Sequence, residues 1–365
     1  MAIAACGQAP DAAPTESAST AAGGSSESTS ATTADGDVNK DFLACLVSDA
    51  GGWDDKSFNQ SAYEGLNQAV ADLGIKSNTA ESTQTSDFAP NVDSMIQGGC
   101  GLTIGVGFLL AEPIAEAAKN NPETEFALID SSFTDASGNA VTFDNARPLL
   151  FNTAEASYLA GYVAAGTTKT GAVATFGGLP IPSVQIFMDG FADGVAKYNE
   201  EFGKDVKLIG WDKAEQKGTF AGTFDEISQG QTITEGFISQ GADIIMPVAG
   251  PLANGAATAA KAHEGTMVVW VDSDGNQSAP EHKDVILTSV LKKIDASVAD
   301  TVALAAKGQF TNEPYVGTLE NGGVSLAPFY DFDSQVPQEV KDGVKKLEEQ
   351  IIKGDLKVES PNAPK

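Results

Sequence analysis

Arginine is almost missing from this chain. Arg147 is the only one among 22 basic residues, which face 50 aspartates and glutamates for a net charge of −28. Arginine is the usual bidentate reader of phosphate and carboxylate, so its scarcity argues against a phosphate site. The acidic balance also excludes a phosphate-tracking nucleic-acid binder and docking on an anionic membrane face. Histidine is limited to His263 and His282, which leaves little material for a metal site or for His-driven acid–base catalysis. Only three cysteines occur, Cys6, Cys45 and Cys100. No run of about 18 apolar residues is present, so no segment reads as a membrane-spanning helix. These absences tilt the reading away from enzymes. What remains is 365 residues with 42% hydrophobic and 20% charged composition, long enough that two lobes are expected rather than one core.

The chain opens Met-Ala-Ile-Ala-Ala-Cys. Ile-Ala-Ala-Cys looks like the end of a bacterial lipobox, with Cys6 as the lipidated first residue of the mature protein, although no charged n-region or long apolar h-region precedes it. Residues 7–40 are expected to be a flexible tether, because a stretch of Ala, Ser, Thr, Gly and acidic residues cannot offset the entropy of ordering. An acylated Cys6 followed by such a tether holds a domain beside a membrane without inserting it. Cys45 lies in an apolar run that reads as a buried first strand, and Cys100 sits just before another. A disulfide between them and two separately buried thiols are both compatible with the sequence.

From residue 41 onward, short apolar runs alternate with amphipathic segments. Strands are predicted at 42–47, 102–106, 126–129, 172–176, 206–211, 244–248, 267–271 and 285–290, and helices at 58–73, 112–120, 156–165, 184–202, 232–239, 256–262, 294–305 and 338–353. Strand–helix alternation with Val/Ile/Leu-rich strands is the pattern of doubly wound parallel sheets covered on both faces. Crossings between two lobes are expected near residues 150, 273 and 312. The first lobe then takes 41–150 plus about 274–312, the second 151–273 plus about 313–355, and 356–365 form a polar tail.

The most informative stretch is Val47-Ser48-Asp49-Ala50-Gly51-Gly52-Trp53-Asp54-Asp55-Lys56-Ser57-Phe58-Asn59-Gln60. It reads as the end of a strand, a glycine-rich turn and the opening of a helix that Asp54, Asp55 or Ser57 can cap. Phe58, Ala62, Leu66, Ala69 and Leu73 follow at helical spacing and Gly74 stops them. Ligands of open α/β sheets bind outside the carboxyl ends of the strands, where helix N–H groups point. Asp49 and Asn59 bracket that position; plain capping accounts for them as well.

This stretch resembles the signature of the basic membrane protein family, the purine-nucleoside receptor-like lipoproteins of ABC transporters, whose opening motif runs Asp, a residue, Gly-Gly, then Asp-Lys-Ser-Phe-Asn-Gln. Further blocks agree in order from residue 42 to about 300, among them Phe126-Ala127-Leu128-Ile129-Asp130, Glu155-Ala156-Ser157-Tyr158-Leu159-Ala160-Gly161, Pro247-Val248-Ala249-Gly250 and Val271-Asp272-Ser273-Asp274. The resemblance implies a type I periplasmic-binding-protein fold, two lobes joined by a three-segment hinge, closing on a nucleoside of purine type and delivering it to an ABC permease. It implies that Phe58 and Phe224 hold the base between two rings, with Phe220 as a substitute for Phe224. It further implies that Asp130 bonds the base with Asp49 and Asn59 beside it, and that Gly250, Asp272 and Lys292 grip the sugar hydroxyls. The sequence departs at Ala50, where some relatives carry a polar residue, which leaves base preference open.

Other readings are weaker. Gly105-Val106-Gly107 lacks the third glycine of a dinucleotide fingerprint, since Leu110 stands there. Asp272-Ser273-Asp274-Gly275 puts glycine too early for an EF-hand loop. No cofactor and no metal are expected. The reading is a monomeric, lipid-anchored, extracytoplasmic solute-binding protein that performs no catalysis. A receptor for a sugar or amino acid, and an α/β enzyme using Asp49, Asp130 or Asp272 as acid or base, are the alternatives.

Overall fold

The computed structural model describes residues 37–135 and 139–364. The expected lipobox with Cys6, and most of the expected tether, lie outside the described residues. Residues 38–40 already belong to the folded unit: the Asn39 N–H donates to the Ala306 carbonyl at 2.9 Å, and Val38 packs on the core.

In chain order the elements are β1 Leu43–Ser48, α1 Phe58–Leu73, β2 Lys76–Ala80, α2 Phe88–Gln97, β3 Leu102–Val106, α3 Ala111–Asn120, β4 Glu125–Ile129 and β5 Ala146–Phe151. There follow α4 Thr153–Thr167, β6 Ala172–Gly177, α5 Pro182–Phe202, β7 Lys207–Ile209, the small ribbon of β8 Trp211–Asp212 and β9 Lys217–Gly218, α6 Ile227–Ser239, β10 Ile244–Val248, α7 Leu252–Ala262 and β11 Met267–Asp272. The chain ends with the single turn α8 Gly275–Ser278, β12 Ile286–Lys292, α9 Ile294–Ala306, β13 Tyr315–Gly317, β14 Val324–Leu326 and α10 Gln338–Ile352.

These strands form two six-stranded sheets, ordered β13-β5-β4-β3-β1-β2 and β14-β12-β11-β10-β6-β7. Within these two sheets all pairs are parallel except β12 with β14, and β8 and β9 form their own antiparallel ribbon. The two orders match position for position, so β4 corresponds to β11 and β5 to β12. This is the two-sheet α/β architecture of type I periplasmic binding proteins. The sheets' central strands are buried on both faces, which is why they read as continuous apolar runs.

Three predictions need correction. The strand expected at 206–211 is broken, because Gly210 takes φ 90° between β7 and β8 and turns the chain. Segment 274–312 does not belong wholly to the first lobe: β12 lies in the second sheet, and the chain returns to the first only at Lys293, where α9 packs on α1. The next crossing falls between β13 and β14 rather than near 312. The polar tail expected at 356–365 is held against the folded unit. Ser360 Oγ and Asn362 Nδ2 donate to Asp189 Oδ2 at 2.6 and 3.0 Å, while Trp211 Nε1 and Gln216 Nε2 donate to its Oδ1 at 3.0 and 2.8 Å. A fully buried carboxylate needs those partners, so its polar residues are structural.

Helix α4 is buried around nearly its whole circumference, between the second sheet, α5 and α10. Its seam with α5 depends on Gly161, where a Cβ would stand 2.1 Å from the Phe191 carbonyl oxygen. In the first sheet, Cys45 and Cys100 are joined in a disulfide with Cα atoms 6.0 Å apart, because β1 and β3 are parallel neighbours. Both cysteines are buried. Closing a loop of sequence separation 55 constrains the unfolded chain by about 4 kcal/mol in the chain-entropy account. Replacing both cysteines by alanine should therefore lower the urea-derived stability by about 3–4 kcal/mol, and thiol reagents should label the reduced pair only after unfolding. A stability within about 1 kcal/mol of the wild type would show that the bond constrains little.

Candidate ligand-binding site

The carboxyl ends of the two sheets face a cleft of about 580 Å³, part of it open solvent. Asp49, Phe58, Asn59, Asp130, Phe224, Gly250, Asp272 and Lys292, the residues proposed from the sequence, all line it. Phe220 does not; it packs edge-on against Trp211 with ring centroids 6.0 Å apart and covers Gly177.

Each wall is built by its strand ends. Asp49 follows β1, and Gly107 follows β3 with φ 108°. A Cβ on Gly107 would stand 2.3 Å from Asp49 Oδ2, so only glycine lets that carboxylate lie there. Asn59, in the first turn of α1, donates through Nδ2 to Asp49 Oδ1 at 3.1 Å. Among the described residues nothing donates to Asn59 Oδ1, although that oxygen is buried. On the other wall Phe224 lies over Gly178, whose Cβ would meet the ring at 2.2 Å. Phe58 enters from the first sheet's side and Phe224 from the second's, and no ring contact joins them among the described residues.

The capping question left by the sequence is decided for Asp55. Its carboxylate accepts the backbone N–H groups of Ser57, Asn59 and Gln60 at 2.9, 2.9 and 3.0 Å, and so fixes the start of α1. Ser57 is thereby freed to reach the other sheet. Its buried hydroxyl lies 3.0 Å from Asp272 Oδ2 and 3.1 Å from the Val271 carbonyl, with one proton to share between them.

At the base of the cleft, Lys292 Nζ donates to Asp130 Oδ2 and lies 3.3 Å from Asp272 Oδ1. The ammonium also sits 5.0 Å from the ring centroids of Phe58 and Phe187 and 5.8 Å from that of Phe151. Asp130 directly follows β4 and Asp272 ends the corresponding strand β11, with φ 64° and 68°. Left-handed backbone at a non-glycine residue costs energy and collects at functional sites.

The profile of the family described as ABC transporter substrate-binding protein, PnrA-like, matches residues 42–359. The chain belongs to that family. A nucleoside-binding protein of an ABC transporter from Lactococcus lactis is 31% identical over 343 residues, covering 89% of this chain and 91% of its own. A CD4+ T-cell-stimulating antigen of Listeria monocytogenes is also 31% identical, covering 88% of each chain. Among solved structures, an ABC transporter solute-binding protein from Aeropyrum pernix superposes with a TM-score of 0.77 at 24% identity, covering 88% of this chain and 94% of its own. This PnrA-like chain is a substrate-binding protein of an ABC transporter and not an enzyme.

Electrostatics of the PnrA-like cleft follow from burial. Desolvation pushes Asp49 up to about 8, despite the hydrogen bond from Asn59, and Asp55 and Asp130 add repulsion. Desolvation likewise holds Asp55 up at about 6 against its three backbone donors. Asp130 is raised by burial, with Lys292 pulling back. Desolvation works against the Lys292 ammonium, but Asp130 and Asp272 outweigh it and hold its pKa above the usual lysine value.

Sequence reasoning left Asp55 as one of three possible caps, and it missed Ser57 as an inter-sheet donor and Phe151 and Phe187 around the ammonium. Phe187 had no local signal, since its place among apolar residues of α5 reads as core.

Asp49 supplies a pH test. Unfolded, it deprotonates near 3.8, whereas folded it holds its proton to about 8. Between those values the folded state binds the extra proton, so this stability is complete below the lower value and lost as pH rises through the upper. Relative to wild type, Asp49→Asn should gain urea midpoint steadily between pH 5 and 8 and level off above. A midpoint difference independent of pH would remove the shifted carboxyl.

Proposed function

We propose that this protein is a lipid-anchored, extracytoplasmic receptor that captures a purine nucleoside between its two lobes and presents it to an ABC permease. The observation that carries the reading is the cleft's composition: Phe58 and Phe224 on opposite walls, Asp49, Asn59 and Asp130 on one side, and Asp272 with Lys292 at the base. Flat rings suit a flat base, since base–aromatic stacking contributes about 1–3 kcal/mol per base. Asp130 and Asp272 accept from ring N–H and ribose O–H groups, the protonated Asp49 can donate as well as accept, and the ammonium donates. The Lactococcus relative's name, which says that it binds nucleosides, supports the same ligand class. Lipid attachment through Cys6 agrees with a relative from Pyrococcus furiosus that is named a lipoprotein.

The mechanism is capture rather than bond-making. Ligand enters the open cleft, the lobes rotate about their connecting segments, and the permease reads the closed form. Phosphorylated ligands are disfavoured by the same geometry. Lys292 is already engaged by two carboxylates, and the only arginine, Arg147, is bonded through Nε to the Glu313 carbonyl. A phosphate would meet negative charge without a bidentate partner to offset its desolvation.

Competition calorimetry should rank adenosine and guanosine above their 2′-deoxy forms, these above the free bases, and the monophosphates last. Unmatched buried donors and acceptors account for that order. Phe58→Ala and Phe224→Ala should each weaken nucleoside binding by about 1–3 kcal/mol. A monophosphate that binds as tightly as its nucleoside would sink the assignment. For the anchor, protein expressed from its complete gene in its own host should fractionate with membranes, and Cys6→Ala should not. Unmodified wild type in the cytosol would overturn that part.

A further inference from the structure

The chain passes between the two sheets at Asn152, at Lys293 and through residues 318–323. Backbone bonds tie these passages together. The Asn152 N–H donates to the Gly317 carbonyl at 2.8 Å, and the Lys293 N–H to the Gly323 carbonyl at 2.9 Å. The third passage is also braced from within. Asn321 Oδ1 accepts the N–H groups of Thr318 and Gly323 at 2.8 and 2.9 Å, and its Nδ2 donates to the Val316 carbonyl at 2.8 Å.

One donor of that loop turns outward. The Leu319 N–H donates to Glu155 Oε2 at 2.8 Å, while Glu155 Oε1 accepts from Asn152 Nδ2 at 2.8 Å. Glu155 stands in the first turn of α4, with Asn152 at the N-cap. In a capping box the acid at this position returns to the N-cap residue's own N–H. Here that N–H is taken by Gly317, so the carboxylate is diverted to the third passage. Two charge-assisted bonds from one half-buried group thus join passages that are far apart in sequence. Leu319 is buried in the core, which fixes the loop's other side. Glu155 does not line the cleft, and neither does any other residue of its block, Glu155 to Gly161.

A hinge rotates about the residues that absorb the change, and bonds linking its segments set where rotation is free. We propose that Glu155 is a hinge-positioning residue: its carboxylate clamps the first and third passages together and sets the balance between open and closed lobes. This rests on the reading that the lobes close around a ligand. Glu155→Ala removes both bonds. Glu155→Gln keeps both if the Asn152 amide turns over, because the glutamine amide then donates to Asn152 Oδ1 and its oxygen still accepts from Leu319.

The test places spin labels at Gln68→Cys on α1 and Thr232→Cys on α6, in the full chain carrying Cys6→Ser. The distance distribution is measured by pulsed dipolar resonance without ligand and with saturating guanosine. Glu155→Ala should broaden or shift the ligand-free distribution, and Glu155→Gln should restore it. Guanosine affinity should fall about three- to tenfold in the alanine variant, as the closure-competent fraction falls. Should Glu155→Ala not fold, Glu155→Asp carries the same expectation, since its shorter side chain cannot span both donors. An unchanged ligand-free distribution, including one accompanied by a lower melting temperature, overturns the proposal. If the wild type binds neither guanosine nor adenosine, the nucleoside reading fails, while the ligand-free distributions still decide the role of Glu155.

Discussion

A single ammonium group held away from water organises the centre of this molecule. Lys292 is 5% exposed and ends a strand of the second sheet, yet one of its two carboxylate partners, Asp130, directly follows a strand of the first. A buried charge is tolerated only when paired, and removing one partner of such a group typically costs about 3–5 kcal/mol. The ion set therefore fixes how the strand ends of the two sheets meet. Three phenylalanine rings around Nζ lower the cost of its desolvation further. Asp130 and Asp272 reach it only because each accepts a left-handed backbone at its strand end. The strain and the pairing belong together.

Around that centre the two lobes repeat one plan. The matching strand orders place Asp130 against Asp272, and the glycine after β3 against Gly250 after β10. Both lobes thus deliver polar groups from the same end of a parallel sheet, where helix N-termini also point. Close helix seams, such as Gly161 against Phe191, stiffen each lobe. The connecting passages are then the natural place for motion, and Glu155 joins two of them through its bonds with Asn152 and Leu319.

Much of the fold was legible locally. The runs 102–106 and 244–248 read as strands because both faces of a central parallel strand are buried, and Phe58 to Leu73 read as a helix because its apolar residues recur and Gly74 ends it. The edge strands β2, β13 and β14 were not legible, and neither was the interior strand β5. β2, Lys-Ser-Asn-Thr-Ala, is a strand only because β1 lies beside it, and an edge strand need not be apolar. The site residues showed themselves through the motif from Asp49 to Gln60 and through the blocks resembling the family. Periodicity alone left Asp49, Asn59 and Phe224 open to ordinary capping and core roles.

The sequence by itself determined the α/β class, the acidic and arginine-poor character that disfavours phosphate, and the strand-end positions of Asp49, Asp130 and Asp272. These follow from composition and from local periods that short-range interactions impose. Tertiary structure decided the rest. It chose Asp55 as the cap and sent Ser57 across to Asp272, because three backbone donors converge on one buried carboxylate. It moved the second crossing from 273 to Lys293, because β12 pairs with β11. It also joined Cys45 to Cys100, and held Ser360 and Asn362 on Asp189. Each of these depends on groups brought together from distant parts of the chain, and no local pattern encodes such a meeting.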